Sequence, residues 1–212
     1  MLDEPIAIRG LTSFVIESAP VFSSFVQNLY QYTEESDALK IFDKKYECLK
    51  ESELMIITDI LDHDVNSASV LKMVHDDLAK QISDSPEKKT KIEQLLRQAK
   101  GLVYEEMLDF EIDLESDDMK LMELLKAMRI KIEIQTDTIF ERTFEIMQVF
   151  KYLFKKRLLV FINLGTYLTS EELASLQEYA QLQNISVLLV DRHPFEGVEN
   201  QVILDEDFVV LT

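Results

Sequence analysis

Hydrophobic positions change period several times along the chain. LTSFVIE (Leu11–Glu17) is a short apolar run of strand type. In APVFSSFVQNLY, which follows it, Val21, Phe22, Phe25, Val26 and Leu29 fall on one helical face. ALKIFD (38–43) and ELMIITDI (Glu53–Ile60) have strand character again, the second being a continuous β-branched run suited to the middle of a sheet. From Ser69 to Ile82 the spacing is helical, with Val70, Leu71, Val74, Leu78 and Ile82 in one stripe. SDSPEKK ends that helix and begins another, for which Ser85 is the expected N-cap and Pro86 the first residue. Ile92, Leu95, Leu96, Ala99, Val103 and Met107 extend the pattern. MKLMELLKAM predicts a short third helix. DTIFERTFEIMQVFKYLF predicts a long fourth, with Thr138 and Glu141 spaced for a capping box.

Strand character returns at RLLVFINL (Arg157–Leu164). The next helix, LTSEELASLQEYAQL, opens on a Thr169/Glu172 capping box, with Leu168 placed to staple onto Leu173. ISVLLVD and QVILDEDFVVL close the chain as strands. Apolar strands alternating with helices predict a parallel sheet. The expected fold class is therefore α/β: a head built from residues 1–64 and 151–212, with an α-helical leg inserted over residues 65–150.

Composition adds two constraints. The chain has 212 residues, 47% hydrophobic and 29% charged, an ordinary globular profile, but its net charge is −18. Such a charge favours divalent cations and, taken whole, argues against a surface for nucleic acid. The single Cys48 excludes an intramolecular disulfide and every multi-cysteine metal site, and it fits a reducing cytoplasm. No apolar run approaches the roughly 18 residues of a membrane helix, so a cytoplasmic location without membrane attachment is expected.

Several chemistries are missing. A phosphate loop needs glycines, so that backbone N–H groups can wrap the phosphates, and a lysine to meet their charge. VIESAPVFSSF, where such a loop belongs, has neither and carries Glu17 instead. The three histidines, His63, His75 and His193, share no ligand spacing, and His75 beside Asp76 and Asp77 reads as solvated. No serine lies on a glycine-flanked elbow.

Other chemistry is present. VYEEMLDFEIDLESDD (Val103–Asp118) holds eight carboxylates in sixteen residues with no basic side chain. Asp113, Glu115 and Asp117 take alternate positions, as in a calcium loop, but Asp118 stands where the sharp-turn glycine belongs and Glu123 falls one residue short of the bidentate glutamate. The stretch reads as a solvated acidic face, a structural metal site, or an acid/base or two-metal centre; the last lacks an accompanying general base. Basic residues are segregated from it. Lys126, Arg129, Lys131, Arg142, Lys151, Lys155, Lys156 and Arg157 stand against four acids in residues 126–157, and Lys44, Lys45 and Lys50 form a second island. These are ordinary surface charges or a strip meeting a phosphate backbone. Few exposed-looking aromatics are interleaved with these bases, so base stacking is not suggested and any binding is expected to be electrostatic and indifferent to sequence.

Longer segments carry a resemblance. LDEPIAIRG, YQYTEESDALKIFD, KESELMIITDILDHDVNSAS, EIDLESDD, QTDTIFERTFEIMQVFKYLFKKRLLVFIN, LTSEELASLQEYAQLQN and ILDEDFVVLT closely resemble the small spacer-acquisition proteins of streptococcal type II-A CRISPR systems, over essentially the full length. The resemblance implies a RecA-like, P-loop-ATPase-related head lacking a functional phosphate loop, with an inserted helical leg. It implies a homotetrameric ring whose lysine-lined pore binds double-stranded DNA ends without sequence preference, and calcium held by leg carboxylates. Partnership with the adaptation integrase and the effector nuclease is implied too, with no catalysis of its own. Carried onto this chain, the calcium ligands are Asp113, Glu115, Asp117, Asp118 and Glu123. The DNA-binding residues are Lys44, Lys45, Lys50, Lys126, Arg129, Lys131 and Lys151. A metal-dependent nuclease and a protein-interaction scaffold without a direct DNA role are the alternatives.

Overall fold

The structure is a computed structural model that describes residues 5–134, 137–153, 156–198, 200–207 and 209–211. It divides into two compact units, Met1–His63 with Gln135–Thr212, and Asp64–Ile134.

The first unit is built on a six-stranded sheet in the order β2-β3-β4-β1-β5-β6. Its strands are β1 (Leu11–Ile16), β2 (Leu54–Ile57), β3 (Leu158–Ile162), β4 (Val187–Asp191), β5 (Gln201–Leu204) and β6 (Val210–Leu211). All neighbouring pairs are parallel except β5 with β6. Every residue of β1, β3 and β4 is buried, as continuous apolar runs require in a sheet covered on both faces. One face carries Phe14, Ile16, Leu158, Val160, Ile162, Leu188 and Val190, packed by α1 (Ala19–Tyr30) and by Leu39, Ile41 and Leu49 of the chain beyond it. Phe25 of α1 sets its ring edge-on to Phe14, with centroids 5.2 Å apart. Strand alternation turns Leu11, Ser13 and Val15 to the other face. There α6 (Ser170–Gln183) packs on β1, and α5 (Ile139–Tyr152) packs on α6. Both helices start in the capping boxes read from sequence: Thr138 accepts from the Glu141 N–H at 3.1 Å, and Thr169 from that of Glu172 at 3.3 Å.

The second unit contains α2 (Ala68–Ser83), α3 (Pro86–Met107) and α4 (Leu121–Ala127), with α3 and α4 each packed on α2. Its ends are clasped by Asn66. That amide accepts from the Ile132 N–H at 2.8 Å and donates to the Ile132 carbonyl at 3.0 Å, imitating a backbone pair. No residue of α3 is buried: of its apolar stripe Ile92, Leu96 and Met107 are half-buried, while Leu95, Ala99 and Val103 stay exposed.

Four further sequence expectations differ from the structure. The helix at 139–152 belongs with the sheet unit, because Ile146, Met147 and Phe150 bury themselves there; the inserted unit ends at Ile134, not at 150. ALKIFD is not a strand. Leu39 and Ile41 pack on the core from an irregular segment whose only ladder contact among the described residues is the Phe42–Cys48 bridge. The β2 strand stops at Ile57, and beyond it Asp59 Oδ1 accepts the Leu61 and Asp62 N–H groups at 2.8 and 3.3 Å, curling the chain into a turn. Ser85 is the N-cap of α3 and Pro86 its first residue, as expected, although the Ser85 side chain makes no cap bond. His75 is 7% exposed rather than solvated. It lies four residues after Leu71 and three before Leu78, so helical geometry places it on the apolar stripe, not with Asp76. Lys155 lies outside the described residues.

Candidate metal-binding and nucleic-acid sites

In open parallel sheets, ligands sit beyond the carboxyl ends of the strands. Here β1 ends at Ile16 and α1 begins at Ala19, leaving only Glu17 and Ser18 between them. The Glu17 N–H already donates to the Leu204 carbonyl at 3.0 Å, Pro20 has no N–H, and the Glu17 carbonyl accepts Arg192 Nη2 at 2.8 Å. Two of the positions that would supply N–H groups to a phosphate, Glu17 and Pro20, are thus unable to.

Asp191, the last residue of β4, occupies the same edge. It is 2% exposed and lies beside Val15 in the parallel register. Burial pushes its carboxyl up to about 7, offset in part by a hydrogen bond from the Gly165 N–H, while Oδ2 has no hydrogen-bond partner among the described residues. The sequence signal was an aspartate closing an apolar strand, and it was not singled out.

The basic residues of the sheet unit occupy separate elements. Lys44 and Lys45 are exposed at the tip of a hairpin, Lys50 is exposed just past it, and Lys151 is exposed near the end of α5, bonded to the Gln183 side chain. The hairpin is held by Asp43. Its Oδ1 accepts the N–H groups of Lys45 and Glu47 at 2.7 and 2.9 Å, and its Oδ2 accepts Arg157 Nη2 at 3.1 Å. The Glu47 N–H first, then those of Lys45 and the Arg157 guanidinium, hold the Asp43 carboxyl below the usual aspartate value. Arg157 also lies 3.6 Å from Glu53, so a residue counted by sequence among the basic strip is neutralised internally. Lys156 is likewise diverted, donating to the Leu54 carbonyl. One expectation fails: aromatics do stand among the bases. Tyr46 is 83% exposed next to Lys45, and Tyr152 is 68% exposed next to Lys151.

In the helical unit Lys126, Arg129 and Lys131 are all exposed, around the end of α4. The Arg129 N–H donates to the Lys126 carbonyl at 3.0 Å, and its φ of 52° turns the chain out of the helix. Asp113, Glu115, Asp117 and Asp118 lie exposed in the non-helical stretch between α3 and α4. Two of the five acids already have partners. Asp118 Oδ1 takes Lys100 Nζ at 2.6 Å, a contact that holds its carboxyl below the usual value, and Glu123 Oε2 caps α4 through the Lys120 N–H at 2.7 Å. The donor set, all carboxylate oxygen, fits a hard cation such as calcium in chemistry. It is not gathered: among the described residues no three His, Cys, Asp or Glu side chains are grouped to hold a metal.

Among the described residues no helix is long and apolar enough to cross a membrane. The fold has a solved counterpart, the crystal structure of Stu0660 of Streptococcus thermophilus. It matches with a TM-score of 0.59 at 15% identity, over 94% of this chain and 70% of that one. Sequence relatives are nearer. The chain is 44% identical over 211 residues to the CRISPR-associated protein Csn2 of Streptococcus agalactiae, covering 100% of this chain and 95% of that protein. It is 45% identical over 208 residues to the Csn2 of Enterococcus faecalis, covering 98% and 94%. The model of the CRISPR-associated protein family Cas_Csn2 matches residues 31–208. The chain belongs to the Csn2 family of CRISPR-associated proteins.

Proposed function

We propose that this chain binds double-stranded DNA ends during spacer acquisition, without sequence preference and without catalysis. In this reading it works as a calcium-stabilised homotetrameric ring in the cytoplasm, alongside the adaptation integrase and the effector nuclease. The observation that carries the reading is charge segregation in a family member. On a chain of net charge −18, Lys44, Lys45, Lys50, Lys126, Arg129, Lys131 and Lys151 are all exposed, and none has an acidic partner within salt-bridge distance among the described residues. A ring lined by such groups attracts phosphate while its acidic exterior faces water. Self-assembly is supported by the helical unit, which leaves Leu95, Leu102, Val103, Tyr104, Leu108 and Phe110 exposed.

The parallel sheet with α1 directly after β1 supports a RecA-like, P-loop-ATPase-related head whose phosphate loop has been lost. Calcium enters as a proposal about the acidic stretch. Asp113, Glu115, Asp117, Asp118 and Glu123 supply the oxygens, and gathering them requires the segment between α3 and α4 to close up, which a divalent cation favours by relieving their mutual repulsion.

The test is retardation of a linear duplex in a native gel, with calcium and with chelator, followed by recovery of the DNA. Calcium-dependent binding with intact DNA is expected, and Asp113→Asn with Asp117→Asn should raise the calcium requirement. Cleavage with magnesium or manganese would point to a nuclease, and no binding in any condition to a scaffold.

A further inference from the structure

The hairpin that displays Lys44 and Lys45 also displays a ring. Its arms meet in the Phe42–Cys48 bridge, the Asp43 N–H donates to the Glu47 carbonyl at 2.9 Å, and the Tyr46 N–H donates to the Asp43 carbonyl at 3.0 Å. The base of the hairpin is fixed to the core, since the Leu49 N–H donates to the Ile41 carbonyl at 2.8 Å and the buried Tyr32 hydroxyl donates to the Leu49 carbonyl at 2.7 Å. From outside, Arg157 holds Asp43, whose side chain is 5% exposed. A turn tied at this many points is stiff, so the groups at its tip are presented in one arrangement and lose little freedom on binding.

What stands at the tip is unusual for a mere turn. Tyr46 has a φ of 61°, a conformation that bulky side chains rarely adopt and that asparagine or glycine accepts more readily. Its ring is 83% exposed, and Lys44 and Lys45 precede it directly. Two cations and a free aromatic face on a rigid support are the two parts of a single-strand platform: charge for the backbone and a ring for a base. With Lys44 and Lys45 outweighing the exposed Glu47, the tip is net positive on an otherwise strongly acidic chain, which fits a polyanion rather than a protein surface of its own kind.

We propose that Tyr46 stacks on an unpaired base at a DNA end whose phosphates Lys44 and Lys45 hold, so that the chain prefers ends with a single-stranded overhang to blunt ends. The proposal rests on the DNA-binding reading above and extends it to the structure of the end. Bases inside a duplex are already stacked on both faces and a blunt terminal pair stays held by its partner strand, whereas an unpaired base can turn out of the stack and lay a whole face on Tyr46. Stacking reads no hydrogen-bond pattern, so the preference is for overhang over blunt end and not for a sequence.

The test uses the full-length chain and fluorescence anisotropy with two labelled duplexes of equal charge, one blunt and one ending in a short thymine overhang. The unaltered chain should bind the overhang about tenfold more tightly, the effect of one base stacked on an aromatic side chain. Tyr46→Asn accepts the left-handed backbone without a ring; it should lower overhang affinity to the blunt level, leave blunt binding unchanged and melt like the parent. Tyr46→Phe should keep the preference. Equal binding of both duplexes by the parent, or an undiminished preference in Tyr46→Asn, would overturn the stacking role while leaving DNA binding intact. Failure of the parent to bind either duplex would remove both.

Discussion

Asp191→Asn is expected to stabilise the folded chain at pH 8 and to remove the loss of stability that deprotonation of buried Asp191 brings between about pH 4 and pH 7. Burial at the end of β4 raises the Asp191 carboxyl from an ordinary 3.8 to about 7, so the folded state holds a proton across an interval in which the unfolded state has already released it. Stability therefore declines as pH rises through that window and is level above it. A shift of this size corresponds to roughly 4 kcal/mol at most. Asparagine keeps the shape and an acceptor for the Gly165 N–H but has no charge to bury, and a gain on the order of 2 kcal/mol at pH 8 is expected after the cost of placing its second amide hydrogen. For a chain of this length that is several degrees in melting temperature. Urea unfolding of both proteins from pH 4 to 8 measures it. Parallel profiles would show that the Asp191 carboxyl is ionised in the fold and has found a partner.

Replacing Lys44 and Lys45 together by glutamate weakens duplex binding on the order of tenfold or more at moderate salt, and to the same degree for every sequence. It also flattens the slope of log affinity against log salt by about 2, one unit for each lost phosphate contact. The fold should tolerate the change. Asp43 holds the hairpin through the backbone N–H groups of Lys45 and Glu47 and through Arg157, so neither lysine side chain supports the turn. Affinity measured across a salt series separates the outcomes: an unchanged slope would mean that neither lysine contacts a phosphate.

The sheet was legible because burial on both faces leaves its mark in unbroken apolar runs, as in β1, β3 and β4. The boxes at Thr138 and Thr169 were legible because their chemistry is local. Misreadings arose where apolar residues pack without pairing. Leu39 and Ile41 look like strand residues and instead lie across the core from an irregular segment. The fourth helix carries the same periodicity whichever unit it covers, so period alone could not assign Ile146 and Met147 to the sheet unit. The basic strip thinned for a related reason. Arg157 and Lys156 are spent on Asp43, Glu53 and a backbone carbonyl, partners up to 114 residues distant in sequence. Tyr46 escaped notice because exposure, unlike spacing, is a property of the turn that displays it.

The most direct test of a ring that threads onto DNA ends compares linear and covalently closed circular duplexes of one sequence, in calcium and in chelator. The proposed function predicts calcium-dependent binding to the linear form alone, with the DNA intact. Equal binding to the closed circle would contradict it, since a ring that loads at ends has no way onto a molecule without them.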